Sequence, residues 1–429
     1  AMDVSRFGDY ARMQFTNARV RENYARRFSI RYPNEELQAG RPLLTTPIYD
    51  KQKAAGAQSG AAYGLEIPLW YAPKNTSDVF SWRRSTDFDH VGAEARAVRE
   101  SVGLSDISGF AKYRVSGPGA ADWLDHILAC RLPAVGRMVL APMLKDDGKI
   151  IGDFSLSRLD DDSFLIIGSG IAESYHMRWF LAHLPDTGDV EINSLGLDLV
   201  GLTLAGPKSR DVLQSCVSVD ISHDSMRFMA IKQIDIGMIP AIVGRVSYTG
   251  DLGYEIWVAP AYLNSLFDQL MTAGAAHHIR LFGSRALNAL RLEKNYGSWG
   301  REYRPIYGPV ETGLDAFVAY DKPASFIGKS GALAERDSGG TMRLCSFVIE
   351  AKDADVIGDE PIAHNGTVVG WVTSGGYAHG AGKSMAQGYV PKNIADDDSG
   401  WSVELLGQIL PAKRQKFPLF DANASRMRS

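Results

Sequence analysis

The sequence predicts an α+β protein that ends in a small β-barrel. Strand and helix patterns are mixed without strict alternation, and Asp-Asp-Gly and Asp-Asp-Asp turns punctuate short strands. After about Gly328, short strands and turn residues crowd together. With 429 residues the chain is too long for one core and should divide into two or three domains.

The first 90 or so residues are rich in Tyr, Arg and Pro and poor in periodic runs, which predicts an irregular wrapping segment with one or two helices, packed on something else. From Val91 the pattern is regular. VGAEARAVRESVGLSDIS is spaced as a helix, and AKYRVSGPGAADWLDHIL as a strand, a turn and a helix. MVLAPMLKDDGKIIGDFSLSRLDDDSFLIIGSG reads as three strands and AESYHMRWFLAHLP as a helix. A second strand-rich half follows, in which LDLVGLTLAGPKSRDVLQSC is strand then helix and MIPAIVGRVSYTGDLGYEIWVAP is a hairpin before AYLNSLFDQLMTAG, a helix. The expected division is 1–90, 91–335 and a barrel over 336–429.

Composition excludes several classes. A net charge of -4 gives no reason to expect a nucleic-acid partner, and no stretch approaches the roughly 20 apolar residues of a membrane span. The three cysteines, Cys130, Cys216 and Cys345, lack paired spacing, so free thiols in a reducing compartment are expected: cytoplasmic, or the mitochondrial matrix in a eukaryote. There is no G-x-S-x-G elbow and no metal-ligand cluster. The Gly168-Ser169-Gly170 turn between a strand and a helix carries Glu173 where a dinucleotide fingerprint needs a third glycine, so it reads as a tight structural turn.

Two carboxylates stand out. Asp153, before an alternating strand, is either a solvated turn residue or, seated beside Ile151 and Phe154, a base with a raised pKa. Glu255 lies in an aromatic strand that disfavours it. A hairpin would set it near Tyr248, making an aromatic face and a bidentate acceptor suited to a flat heterocycle such as a pterin. The alternative is a core ion pair with Arg245 or Arg291. Arg285 and Arg291 lie on a helix whose Ala286, Leu287, Ala289, Leu290 and Leu292 form the buried stripe; Arg291 could hold a substrate carboxylate or pair with Glu255 or Glu293.

RVSYTGDLGYEIWV, ALNALRLEKNYGSWGREY, PIYGPVETGLDAFVAYDKPASFIGKSGAL and GTVVGWVTSGGYAHGAGKSMAQGYV, with SVGLSDISGFAKYRVSGPGA and GKIIGDFSLSRL, resemble the successive signatures of the glycine-cleavage T-protein (aminomethyltransferase) family. Further, DVSRFGDYARMQF, RRFSIRYPNEELQAGRPLLTTPIYD, LEIPLWYAP and the ending FPLFDANASRMRS are similar to segments of dimethylglycine and sarcosine dehydrogenases, where a flavin part joins a folate part. The resemblance implies a three-part clover leaf around a folate pocket, with tetrahydrofolate as cofactor and a flavin partner or domain. Asp153 would lie beside the reacting nitrogens, Glu255 on the pterin edge, Tyr248 on the pocket wall and Trp299 nearby. The family's folate-contacting arginine falls on Leu287, leaving Arg285 or Arg291 to substitute, and no tyrosine follows Tyr389.

The chemistry so implied is capture of carbon from an oxidised N-methyl amine as 5,10-methylenetetrahydrofolate. The alternatives are a direct demethylase yielding 5-methyltetrahydrofolate and a non-enzymatic folate-binding protein. The iron–sulfur assembly relatives of the latter type carry a cysteine motif where this chain has Val246-Ser247-Tyr248-Thr249-Gly250-Asp251.

Overall fold

The computed structural model describes residue 8, residues 10–76 and residues 78–429; much of the expected N-terminal signature at 3–9 lies outside the described residues. Two antiparallel sheets and a closed barrel organise the chain. The first sheet runs Arg137–Leu144, Ile150–Asp160, Ser163–Gly168, Ala111–Ser116, Glu191–Ser194. Helix Ala120–Ile127 packs on it because Ala120, Trp123, Leu124 and Ile127 fall at i, i+3, i+4 and i+7 and are all buried.

The second sheet runs Ile231–Ile236, Ile239–Gly244, Gly253–Val258, Val200–Ala205, Gly103–Asp106, Arg280–Leu281, and only its last pairing is parallel. Helix Leu263–Gly274 covers it with the same spacing, through Leu263, Leu266, Phe267 and Leu270. Ile107, Leu165, Ile167 and Trp257 form an apolar seam between the sheets, which fixes the two halves against each other. Six strands from Met342–Ile349 to Gln408–Gln415 close the barrel around Phe347, Ile362, Val372, Val390 and Val403. The α+β class and the C-terminal barrel agree with the sequence prediction.

Three features differ from it. A hairpin, Ala57–Ala62 with Leu65–Tyr71, stands in the supposedly irregular N-terminal segment; Pro68 masks the second strand, and the ladder accommodates it beside a register shift at Gln58/Ser59. Helices Asp87–Glu100 and Lys329–Ser338 run across the expected boundaries at 90/91 and 335/336. Strand Ile239–Gly244 ends before Arg245, so RVSYTGDL is a loop, and only GYEIWV is strand.

Candidate active site

Asp153 sits inside strand Ile150–Asp160, opposite Pro142, rather than at its start. Its Oδ1 is buried without a hydrogen-bond partner among the described residues. Burial first, and then the nearby charge of Glu302, pushes its pKa up to about 8. Rings pack edge to face from the adjoining Phe154: Phe154 against His176 at 4.8 Å and His176 against Trp299 at 5.0 Å. His176 meets the Ile151 carbonyl at 2.9 Å, and burial drops its pKa to about 4, so it is a neutral spacer.

Glu302 explains Arg291. The guanidinium reaches Glu302 at 3.1 Å and also donates to Asn288, the Tyr296 carbonyl and Gln387. Thr373, Ser374 and the Ser298 N–H complete the shell of Glu302. Burial acts to raise the Glu302 pKa, but Arg291 and the hydroxyls prevail and hold it low. Arg291 therefore fixes a charge that adds to the burial of Asp153 in raising its pKa. Among the described residues Arg291 makes no bond to Glu255, and it does not line the large cavity between the two sheets.

Tyr248 donates to the Gly297 carbonyl at 2.6 Å and stacks on Tyr296 with centroids 6.0 Å apart. Burial raises its pKa, and the charges that bear on it are those of Arg291, Asp153 and Glu302. The loop thus carries Tyr248 into the field of Asp153, Arg291 and Glu302.

Glu255 lies on a rung of the second sheet, opposite Gly244 on one side and Thr203 on the other, with Ser105 next along. Among the described residues it has no ion pair, and burial alone lifts its pKa to about 7. Both expected arginine partners are engaged elsewhere, since Arg245 donates to backbone oxygens of Met226 and Ser429. The Thr203 hydroxyl, on the strand paired with it, is buried and has no hydrogen-bond partner among the described residues.

A cavity of about 1120 Å³ opens between the two sheets and the N-terminal segment, lined by aromatics that include Phe110, Tyr175, Trp299 and Tyr303. Asp153, Tyr248 and Glu255 stand outside its lining. They connect to it through Tyr303, which feels the charges of Asp153 and Glu302, and through Ser105, on the rung of Glu255. On helix Ser284–Glu293, Ser284 and Leu287 face this cavity. Arg285 is not brought there: it bonds Asp87 at 2.7 Å and lines a separate polar pocket with Trp70 and Asp78, because one residue's turn of a helix rotates it about 100° away.

Residues 48–322 match the GCVT N-terminal domain, and residues 343–421 the glycine cleavage T-protein C-terminal barrel domain. The chain belongs to the glycine cleavage T-protein family. Residues 1–46 match the FAD dependent oxidoreductase central domain. Human mitochondrial dimethylglycine dehydrogenase is 35% identical over all of this chain and 50% of its own length, so the chain spans about half the length of such curated relatives. An aminomethyltransferase of Desulforamulus reducens is 26% identical over 88% of this chain and 98% of its own. Aminomethyltransferase T of Bartonella henselae shares the fold, with a TM-score of 0.77 over 88% of this chain and 98% of its own at 23% identity.

Within this T-protein fold, sequence reasoning passed over Glu302, Tyr303, His176 and Lys112. Nothing in the local sequence marks His176 or Lys112, whose burial comes from strands distant in the chain.

Proposed function

We propose that this folate-dependent, aminomethyltransferase-like chain binds tetrahydrofolate between Asp153 and Glu255 and captures the carbon of an oxidised N-methyl amine, such as dimethylglycine, as 5,10-methylenetetrahydrofolate. The carrying observation is the pair of carboxylates, one on each sheet beside an aromatic-walled cavity, whose pKa values burial raises and which have no cation partner among the described residues. They fit the group: an orphaned carboxylate is costly to bury, and a pterin edge offers the adjacent N–H donors that satisfy one.

Tetrahydrofolate, when bound, supplies the nucleophilic nitrogens that take up the carbon. Glu255 accepts the pterin's N–H donors and so fixes its orientation. Asp153 handles the proton. At rest its elevated pKa keeps it protonated, so it accepts the proton that the attacking amine sheds only after its own proton has left to solvent. An arriving iminium cation favours the ionised form of the same carboxylate, so base and counter-charge are one group. Burial sets that protonated resting state, and the charge of Glu302, held by Arg291, adds to it. Tyr248, Tyr303 and Trp299 exclude water from the reacting atoms.

Oxidation of the amine is assigned to a flavin module, as a domain of a longer chain or a separate subunit. In support, residues 1–46 match a flavoenzyme domain, helix Met13–Ala25 buries no side chain, and Phe28 and Ile30 are exposed. The test combines the chain, tetrahydrofolate, dimethylglycine and a dimethylglycine-oxidising flavoenzyme, with the folate products resolved by chromatography. Methylenetetrahydrofolate should form at a rate that depends on the chain and is lost with Asp153→Ala. Formation at the same rate without the chain contradicts the proposal, and 5-methyltetrahydrofolate as product would favour the demethylase.

A further inference from the structure

Lys112 is a buried cation for which the proposed chemistry has no use. It projects from strand Ala111–Ser116, is 1% exposed and nevertheless lines the 1120 Å³ cavity. Its Nζ donates to the Ser108 carbonyl at 2.6 Å and lies 5.7 Å from the centroid of the Trp257 ring. An ammonium has three donors, and no other hydrogen bond of this one is found among the described residues. Nor does any carboxylate there lie within ion-pair distance.

The other buried cations are treated differently. Arg99 meets Glu293, Arg291 meets Glu302, Lys294 meets Asp421, and Lys322 meets Asp125 together with the Leu128 and Cys130 carbonyls. Arg245 is embedded among backbone oxygens. The acids whose fields reach Lys112 are committed: Asp106 accepts from Thr46, Gln52 and the Ser108 N–H, and Glu173 from Ser194. Burying an ammonium with one neutral partner is unfavourable, and here burial draws its pKa down to about 8. Among the described residues the other cation on the cavity wall is Arg304, which is partly buried and bonds the Gly300 carbonyl.

We propose that Lys112 is the anion-recognising group of the cavity and binds the carboxylate of the ligand that occupies it, in a cavity that Ser105 also lines. The residual fields of Asp106 and Glu173 favour a singly charged carboxylate over a phosphate dianion. Two ligands bring such a group: the glutamate tail of a folate, which rests on the function proposed above, and an N-methylated amino acid, which does not.

Titration calorimetry on the whole chain separates these sources with two probe pairs: 5-formyltetrahydrofolate against the N-methylamide of 5-formyltetrahydropteroic acid, which keeps the amide but carries no carboxylate, and dimethylglycine against N,N-dimethylethylamine, which lacks the carboxylate. Lys112→Met replaces the ammonium with an apolar chain of similar length, and its thermal midpoint should be no lower than that of the parent. It should weaken the carboxylate-bearing member of one pair roughly ten- to hundredfold and leave its partner unchanged. The pair affected names the source. Parent-like affinity of the variant for both carboxylate probes overturns the assignment. Failure of the parent chain to bind either folate probe counts instead against the folate function, and leaves the dimethylglycine pair to decide the role of Lys112. If that chain binds neither carboxylate probe, the assignment is overturned as well.

Discussion

At the scale of single residues, the site rests on which charges are compensated and which are not. Asp153 has its pKa lifted to about 8 from an ordinary value of 3.8, so between about pH 4 and 8 the folded protein holds a proton that the unfolded chain has released. Stability from this group is complete below about pH 4 and is lost as pH rises toward 8. Asp153→Asn, which mimics the protonated acid, should therefore melt like the parent at pH 4 and above it at pH 8, by an amount on the order of a few kcal/mol. A gain that shrinks with rising pH would show that the carboxyl is not desolvated. Glu255, at about 7, behaves differently toward ligand. Folate affinity should fall as pH drops through 7, because a proton competes with the pterin for the carboxylate, and Glu255→Gln should flatten that profile in a binding titration. Both carboxylates were legible in the sequence as residues out of place, one beside bulky apolar neighbours and one in an aromatic strand. What the sequence could not supply was the fate of the arginines. Arg291 and Glu302 lie eleven residues apart, and only the turn between them brings the two together.

Among elements, the informative one is the loop at 245–252. Its Tyr-Thr-Gly-Asp turn suggested a tight hairpin, but the chain leaves the ladder at Gly244 and re-enters at Gly253. Asp251, with no exposed surface, is the reason: Arg426 reaches it at 2.9 Å and Arg99 at 3.5 Å, and Arg99 also holds the Thr249 carbonyl. Phe420 lies beneath Arg99, 3.5 Å from ring centroid to guanidinium carbon. A segment 170 residues further along the chain thus fastens the loop that carries Tyr248, and no local pattern encodes such a contact. Arg426→Met should destabilise the fold by about 1 to 3 kcal/mol in a urea melt, since it leaves Asp251 buried with one more distant partner. An unchanged midpoint would mean that the loop holds itself. Helices of the core were legible because their i, i+3, i+4, i+7 stripes are intact. The N-terminal hairpin was hidden by Pro68, which sequence rules read against a strand.

Over the whole molecule, the two sheets place one carboxylate each, and the seam of Ile107, Leu165, Ile167 and Trp257 sets their separation. The mixed strand and helix order and the crowded strands after Gly328 were enough to give the α+β class and the barrel. The cavity was not foreseeable, because its wall draws on the N-terminal segment, both sheets and the turn after helix Ser284–Glu293. If the two carboxylates divide the labour as proposed, their loss must have separable effects. Calorimetric titration of 5-formyltetrahydrofolate into the parent chain, Asp153→Asn and Glu255→Gln tests this most directly. Binding to Asp153→Asn should stay within a few-fold of the parent, and binding to Glu255→Gln should weaken roughly ten- to hundredfold for the lost charged hydrogen bonds. Equal affinity for the parent and Glu255→Gln would contradict the assignment of the pterin to the second sheet.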